Sequence, residues 1–276
     1  MLGIFWIYFR RLVERQTHSQ ANKMEIIWKE NNKSLQIFKA IEKTNTIINI
    51  NLNPDGLMIM GMDSSKTCLV QLVLPKSYFD KFDCPAPMEI GVYTASLVSI
   101  LSKAKNNKLI WKASSDTSLS ICLKENAATQ TEFSLRCIDV CEDRLNIPKH
   151  QQHDVEIDIY PSKLIDILDK MTMAKSDVNI KADPLKVFMV SDSIELGKIR
   201  HSEATTNNKN LQCNVKQSVS LLFSYNAMLL ILTLCKVSKH ICFLGLSNTM
   251  PLRLKSNLGD GGFIDLYIAP KMQDDD

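Results

Sequence analysis

Two thiols and two imidazoles stand close together in Cys137-x3-Cys141 and His150-x2-His153. Such a set has the donors of a structural zinc site. The cysteine spacing is acceptable, but two residues between the histidines is tighter than the usual three to five. Cys137 also falls inside a strand-like run, Glu132 to Val140. The expectation is therefore no metal. Nucleotide and hydrolase chemistry lack their motifs as well: there is no P-loop, no Gly-x-Ser-x-Gly and no His-Glu-x-x-His. Gly259-Asp-Gly-Gly262 has no strand-to-helix context and reads as a hairpin turn. We expect no catalytic residues and no cofactor, so not an enzyme. A Cys, His and Asp enzyme stays as a remote alternative, to be tested by metal analysis and Cys137→Ala.

The elements that position these residues are a repeat. Four helix-like segments centre on Ile37-Phe38, Ile100-Leu101, Ile167-Leu168 and Ile231-Leu232, 63 to 67 residues apart. Leu164, Ile167, Leu168 and Met171 stand at i, i+3, i+4 and i+7, one stripe of a helix. A fixed period of this kind marks a repeated supersecondary unit. The last helix breaks the pattern, because Leu229, Leu230 and Leu234 lie off its stripe. Either another surface covers it or it is rotated. Fifteen strand-like runs separated by turns such as Asn53-Pro-Asp-Gly56 fill the rest. More strands than helices, one helix per repeat, spells α+β: antiparallel sheets with helices on one face. The polar stretch 141–153 lies near the midpoint, carries Pro148 and reads as a linker between two similar domains of two helices each.

Charge narrows the function classes. The chain is 45% apolar and 23% charged, with net charge +3, an ordinary globular composition. Arg10, Arg11, Arg15 and Lys23 against Glu14 account for that whole excess, leaving residues 24–276 close to neutral. A tight phosphate binder has a basic surplus; here any nucleic-acid contact is loose or confined to one face. Eight cysteines without a secretory signal read as reduced, buried thiols. Residues 1–23 contain an eight-residue apolar run, too short to span a membrane, and are expected to be an extension before the body of the protein.

Met62-Asp-Ser-Ser-Lys-Thr-Cys-Leu-Val-Gln-Leu72 and Tyr267-Ile-Ala-Pro-Lys271 closely resemble matching segments of the proliferating cell nuclear antigen (PCNA) family of DNA sliding clamps. The resemblance runs in order from Met24 to Asp276. It implies clamp domains at 24–140 and 154–270, a connecting loop at 141–153 and an acidic tail at 271–276. It further implies a homotrimeric ring around double-stranded DNA, held without regard to sequence. The implied partners are DNA polymerase, a clamp loader and proteins bearing the PCNA-interacting peptide. The implied locations are the nucleus, or a viral replication site for a viral protein. A specialised subunit is the alternative: checkpoint-type, heterotrimeric or a viral processivity factor.

Carried over residue by residue, the partner groove comprises Met62, Thr67, Leu69, Leu145, Ile147, Pro148, Pro251, Tyr267, Ile268, Ala269 and Pro270. Thr67 stands where an aliphatic residue is usual and Lys66 where histidine is common, which implies a shifted partner set. DNA-facing lysines on the helices are Lys39, Lys43, Lys103, Lys105, Lys108, Lys163, Lys170, Lys236 and Lys239. Gln36, Ser99, Ser102, Asp166 and Asp169 replace basic residues usual in the family, so the implied track is thin. Subunit contacts fall on Glu132, Phe133, Leu135 and Cys137 at one edge and Lys198, Ile199 and Arg200 at the other.

Overall fold

The computed structural model describes residues 23–139, 147, 152–206, 209, 211–238 and 240–272. The first half of the chain gives β1 (Met24–Trp28), α1 (Asn31–Glu42), β2 (Ile47–Asn53), β3 (Gly56–Met62), β4 (Cys68–Pro75), β5 (Phe79–Asp83), β6 (Met88–Tyr93), α2 (Thr94–Ala104), β7 (Lys108–Ala113), β8 (Ser118–Lys124) and β9 (Gln130–Arg136). The second gives β10 (Val155–Ile159), α3 (Pro161–Thr172), β11 (Val178–Ala182), β12 (Lys186–Ser193), β13 (Gly197–Ala204), β14 (Leu211–Val215), β15 (Val219–Phe223), α4 (Tyr225–Cys235), β16 (Cys242–Leu246), β17 (Leu252–Gly259) and β18 (Gly262–Ile268). The order of elements is the same in both halves: one strand, one helix, five strands, one helix, three strands.

Sheet order repeats too. β5-β1-β7-β8-β9 corresponds to β14-β10-β16-β17-β18, and β4-β3-β2-β6 to β13-β12-β11-β15. Pairings are antiparallel, as in Ile26↔Trp111 and Ile157↔Leu244. The α+β reading with two helices per half holds. The chain forms two compact units, Met1–Glu42, Thr46–Ile59 and Val73–Asp143 in the first, and Lys43–Asn45, Met60–Leu72 and Arg144–Asp276 in the second.

In the first unit α1 packs along α2. Their apolar stripes, Ile37, Phe38 and Ile41 on one and Leu97, Ile100 and Leu101 on the other, are buried. Beneath them Trp28, Phe38, Phe79 and Trp111 form an aromatic cluster. The Trp28 ring lies 4.9 Å from Phe79 and 5.0 Å from Trp111, edge to face, the arrangement that ring quadrupoles favour. The second unit has an aliphatic counterpart. α3 opens on Pro161, whose fixed φ and missing N–H suit a first helical turn. It buries Leu164, Ile167, Leu168 and Met171. α4 buries Met228, Ile231, Leu230 and Leu234 alike, so of the two sequence readings the covered helix is the one found.

Three strands, β1, β5 and β14, went unanticipated. β9 starts earlier and ends sooner than the run 132–140, because Gln130 and Thr131 still pair with Lys124 and Leu123. Beyond Arg136 the backbone leaves the ladder: Cys137 N donates to Thr117 O and Ile138 N to Gly91 O. The hairpin expected at 259–262 is present, with Asp260 and Gly261 at φ 50° and 82°. Two positive φ values are what a two-residue turn with the right twist requires. Among the described residues no helix is long and apolar enough to cross a membrane.

Candidate functional site

The β3–β4 turn is organised by one carboxylate. Asp63 Oδ1 accepts from Thr67 N at 2.8 Å and Cys68 N at 2.7 Å. Its Oδ2 accepts from the hydroxyls of Ser65 and Thr67. Partial burial pushes the Asp63 pKa up, but these four bonds outweigh it and hold the group below the usual carboxylate range. The bend places Lys66 at φ 56°, an uncommon conformation for a side chain larger than glycine. Asn45 braces the turn from behind, donating from Nδ2 to Met62 O at 3.1 Å. Gly61 permits that approach, since a Cβ there would stand 2.6 Å from the Asn45 amide.

Two further segments of the second unit meet the turn. After β18 the chain passes beside it, Ala269 N donating to Thr67 O at 2.8 Å. It then bridges to β15, Lys271 N donating to Leu222 O at 2.7 Å while Lys271 Nζ pairs with Asp177 at 2.6 Å. α4 begins alongside, its first turn capped by Ser224 Oγ accepting from Ala227 N. Between turn, tail and helix lies a cleft of about 630 Å³. Ala227, Leu229, Leu230, Ile268 and Pro270 supply apolar wall; Lys43, Asp63, Ser65 and Lys271 supply a polar lip. The size and the mixture suit a ligand with apolar anchors and a few oriented polar contacts.

Of the groove residues expected from sequence, Thr67, Ile268, Ala269 and Pro270 line this cleft. Met62, Leu69, Pro251 and Tyr267 lie elsewhere in the same unit. Tyr267 is buried under the Arg253 guanidinium, 5.6 Å from the ring centre. Arg253 in turn bonds Asp265 at 2.8 Å. Burial, helped by Asp265, raises the Tyr267 pKa. Ile147 is half-buried, while Leu145 and Pro148 lie outside the described residues. The α4 wall escaped sequence reasoning. Its signal is Ser224-x-x-Ala227, a cap at the head of an apolar helix.

The lysines expected on the helices divide: Lys39, Lys103, Lys163 and Lys170 are helical, whereas Lys43, Lys105 and Lys236 follow helix ends and Lys108 opens β7. Lys39, Lys103, Lys105 and Lys108 are exposed in the first unit, and among the described residues none has a carboxylate within 4 Å. Lys43 sits at the cleft lip. In the second unit Lys163 pairs with Glu203 at 2.5 Å and Lys170 with Asp166 at 2.7 Å. Lys236 is exposed, and Lys239 lies outside the described residues.

The expected contact strands are both sheet edges. β9, with Glu132, Phe133 and Leu135, ends its sheet, and β13, with Lys198, Ile199 and Arg200, ends another. Cys137 lies just past β9, half-buried, its thiol pushed up chiefly by burial. Three of the other four edges differ. Ile138 bridges to Gly91 on β6, Lys271 bridges to Leu222 on β15, and β5 exposes Asp80, Lys81 and Asp83, charges that discourage pairing. Of the four weighed zinc ligands, Cys141 and His150 lie outside the described residues. His153 is 2% exposed with neither ring nitrogen bonded, packed 5.7 Å from the Phe243 ring.

Residues 24–144 match the family model described as proliferating cell nuclear antigen, N-terminal domain. A proliferating cell nuclear antigen of Chaetomium thermophilum is 24% identical over 253 residues, covering 87% of this chain and 95% of that protein. A DNA polymerase sliding clamp of Methanobrevibacter smithii is 25% identical over 244 residues, covering 87% and 94%. The crystal structure of the Entamoeba histolytica proliferating cellular nuclear antigen superposes with a TM-score of 0.79 at 20% identity, covering 90% of this chain and 99% of that one, and so shares the fold. The family match over residues 24–144 and these likenesses over most of the chain support a resemblance to PCNA and other sliding clamps.

Proposed function

We propose that the chain is a subunit of a homotrimeric DNA sliding clamp that encircles duplex DNA and tethers DNA polymerase. One observation carries the reading. Within the chain β18 is the hydrogen-bonded neighbour of β4. Their counterparts in the repeat, β9 and β13, are terminal strands with no neighbour on the outer side among the described residues. Repeating the β18–β4 junction between copies, β9 of one against β13 of the next, satisfies both edges. It is a head-to-tail contact, the kind that closes into a ring.

Near-neutral charge fits retention by topology, which needs few phosphate contacts. The exposed lysines of α1 and α2, with Lys236, give a loose, sequence-independent track. The apolar cleft fits a short peptide with aromatic and aliphatic anchors, and on this reading Leu145, Ile147 and Pro148 of the connecting loop would add to the same groove. On this reading the domains are 24–140 and 154–270, a separate ATP-driven loader opens the ring, and the protein works in the nucleus without catalysis of its own. Primer extension with polymerase and loader, on a primed circle and on the same template linearised, tests the proposal. Longer products on the circle alone are expected; equal stimulation on both templates overturns it.

A further inference from the structure

The sheet β13-β12-β11-β15 has unlike faces. One buries Val178, Ile180, Val187 and Met189. On the other, Phe188 and Val190 of β12 are half-buried between exposed cations, Lys181 on β11 and Lys198 and Arg200 on β13. Strand alternation puts these five side chains on one face. The ladder sets Lys181 beside Phe188 and Arg200 beside Val190. With Asn179 they line a depression of about 410 Å³. Lys186, two residues before Phe188, adds a fourth exposed cation to the face. Among the described residues of these four strands, Asp192, opposite Lys198, is the only acid on it, and none of the four cations has a carboxylate within 4 Å. The surplus stands out in a body, residues 24–276, that is close to neutral. Duplication does not account for it. The corresponding face of β2, β3 and β4 carries asparagines and Ile47, then Met58, Met60 and Met62, then Leu69, Gln71, Val73 and Pro75, with no charged side chain.

We propose that this face of β11, β12 and β13 binds a short acidic peptide, an apolar side chain seated on Phe188 and carboxylates held by Lys181 on one flank and by Lys198 and Arg200 on the other. Neighbouring strands stand about 4.8 Å apart, so the two flanks lie roughly 10 Å from each other across β12. An extended segment laid along β12 sends successive side chains to opposite sides, which brings carboxylates to both flanks. Arg200 can grip a carboxylate with two parallel bonds, while the lysines act as point charges. A single nucleic-acid strand fits less well. Its bases could stack on Phe188, but its phosphates run along one side of them and leave one flank unmatched. The peptide would meet side chains that stand perpendicular to the sheet, whereas strand addition uses the backbone edge of β13. The inference therefore does not depend on ring assembly.

The test is fluorescence anisotropy of a labelled peptide, Glu-Asp-Glu-Phe-Asp-Glu-Asp, titrated with the full-length protein. Binding is expected at low salt, weakening as added salt screens the charges, and absent for the same peptide with Gln and Asn in place of its acids. Lys181→Glu, which turns an attraction into a repulsion, should weaken it about tenfold. Lys181 is exposed on an interior strand, so its replacement should spare the fold, as a thermal melt will show. Carbodiimide, which joins carboxylates to lysine amines, should link the peptide to Lys181 or Lys198 of the wild-type protein. That map decides alone if the variant does not fold. No binding at millimolar protein, unchanged affinity in Lys181→Glu, or cross-links confined to other lysines overturns the proposal. So does tighter binding of a labelled oligothymidylate with the same loss in Lys181→Glu, which would assign the face to nucleic acid.

Discussion

β18 and β9 occupy equivalent places in the two halves, yet β18 has a strand on its outer side and β9 has none among the described residues. Leu266 of β18 is 0% exposed, with β4 on its outer side. Leu135 of β9 is half-exposed at a sheet margin. The same contrast separates β4 from β13. On the proposed ring reading, a duplicated fold that joins one pair of equivalent strands within the chain leaves the matching pair for a second copy. Similarly, among the described residues Lys39 of α1 and Lys103 of α2 have no carboxylate within 4 Å, while on α3 Lys163 pairs with Glu203 of β13 and Lys170 with Asp166. Equivalent architecture has been given unequal work.

The sharpest way to break the comparison is a charge on each leucine. Leu135→Asp is expected to leave a folded chain but reduce the sedimenting species to a single-chain mass, since a carboxylate would be buried in the joint. Leu266→Asp is expected to cost about 4–5 kcal/mol of stability, the upper range for point changes, and to abolish folding in thermal melts. If Leu135→Asp still assembles, the available-edge reading fails.

Core deletions come next. Trp111→Ala removes a fully buried ring of the aromatic cluster and is expected to cost about 3–5 kcal/mol in guanidinium unfolding. Phe223→Ala, likewise 0% exposed, should fall in the same range; a value near zero for either would mean that its unit does not share the cooperative transition. Arg253→Met leaves Asp265, 2% exposed, as an unpaired buried charge and should cost about 3 kcal/mol. Adding Asp265→Leu should recover most of it.

Smaller effects test the lysines. Lys39→Ala and Lys103→Ala should each lower the salt dependence of DNA binding by about one ion. Lys163→Ala should leave it unchanged, because Glu203 already occupies that ammonium. Equal slopes for all three would erase the difference between the halves.

The weakest expected effect concerns His153. Burial, and after it Arg253, lowers its pKa, while Glu156 and Asp154 act the other way and Lys216 adds to the lowering. Its folded pKa thus lies below the ordinary value of about 6.5. The unfolded chain takes up the proton first as pH falls, so the stability His153 contributes is complete above about 6.5 and is lost below it, down to the lowered value. His153→Phe should flatten the melting profile across that window; an unchanged slope would rule His153 out as its source.

Helices were legible because Leu164, Ile167, Leu168 and Met171 advertise a stripe. β5 and β14 were not, because Phe-Asp-Lys-Phe-Asp and Leu-Gln-Cys-Asn-Val are sheet margins, where polar residues meet solvent and no apolar run accumulates. β1 was missed because Met24–Trp28 alternates over only five residues. The cleft was half legible. Resemblance pointed to Thr67 and the segment 268–270, but its other wall comes from residues near 224–230 and from Lys43. Nothing local in Leu229 or Leu230 says that they face a turn some 160 positions upstream.

α4 buries seven of its eleven residues and leaves only the line of Tyr225, Asn226, Leu229 and Thr233 open, so it cannot roll or slide without uncovering apolar side chains. The cleft beside it therefore has one rigid jaw. Any accommodation to visitors of different girth falls to the Asp63-centred turn and the passing tail, both tied down by individual hydrogen bonds rather than by packed side chains. Ligands should be sorted by how far they oblige that softer jaw to yield.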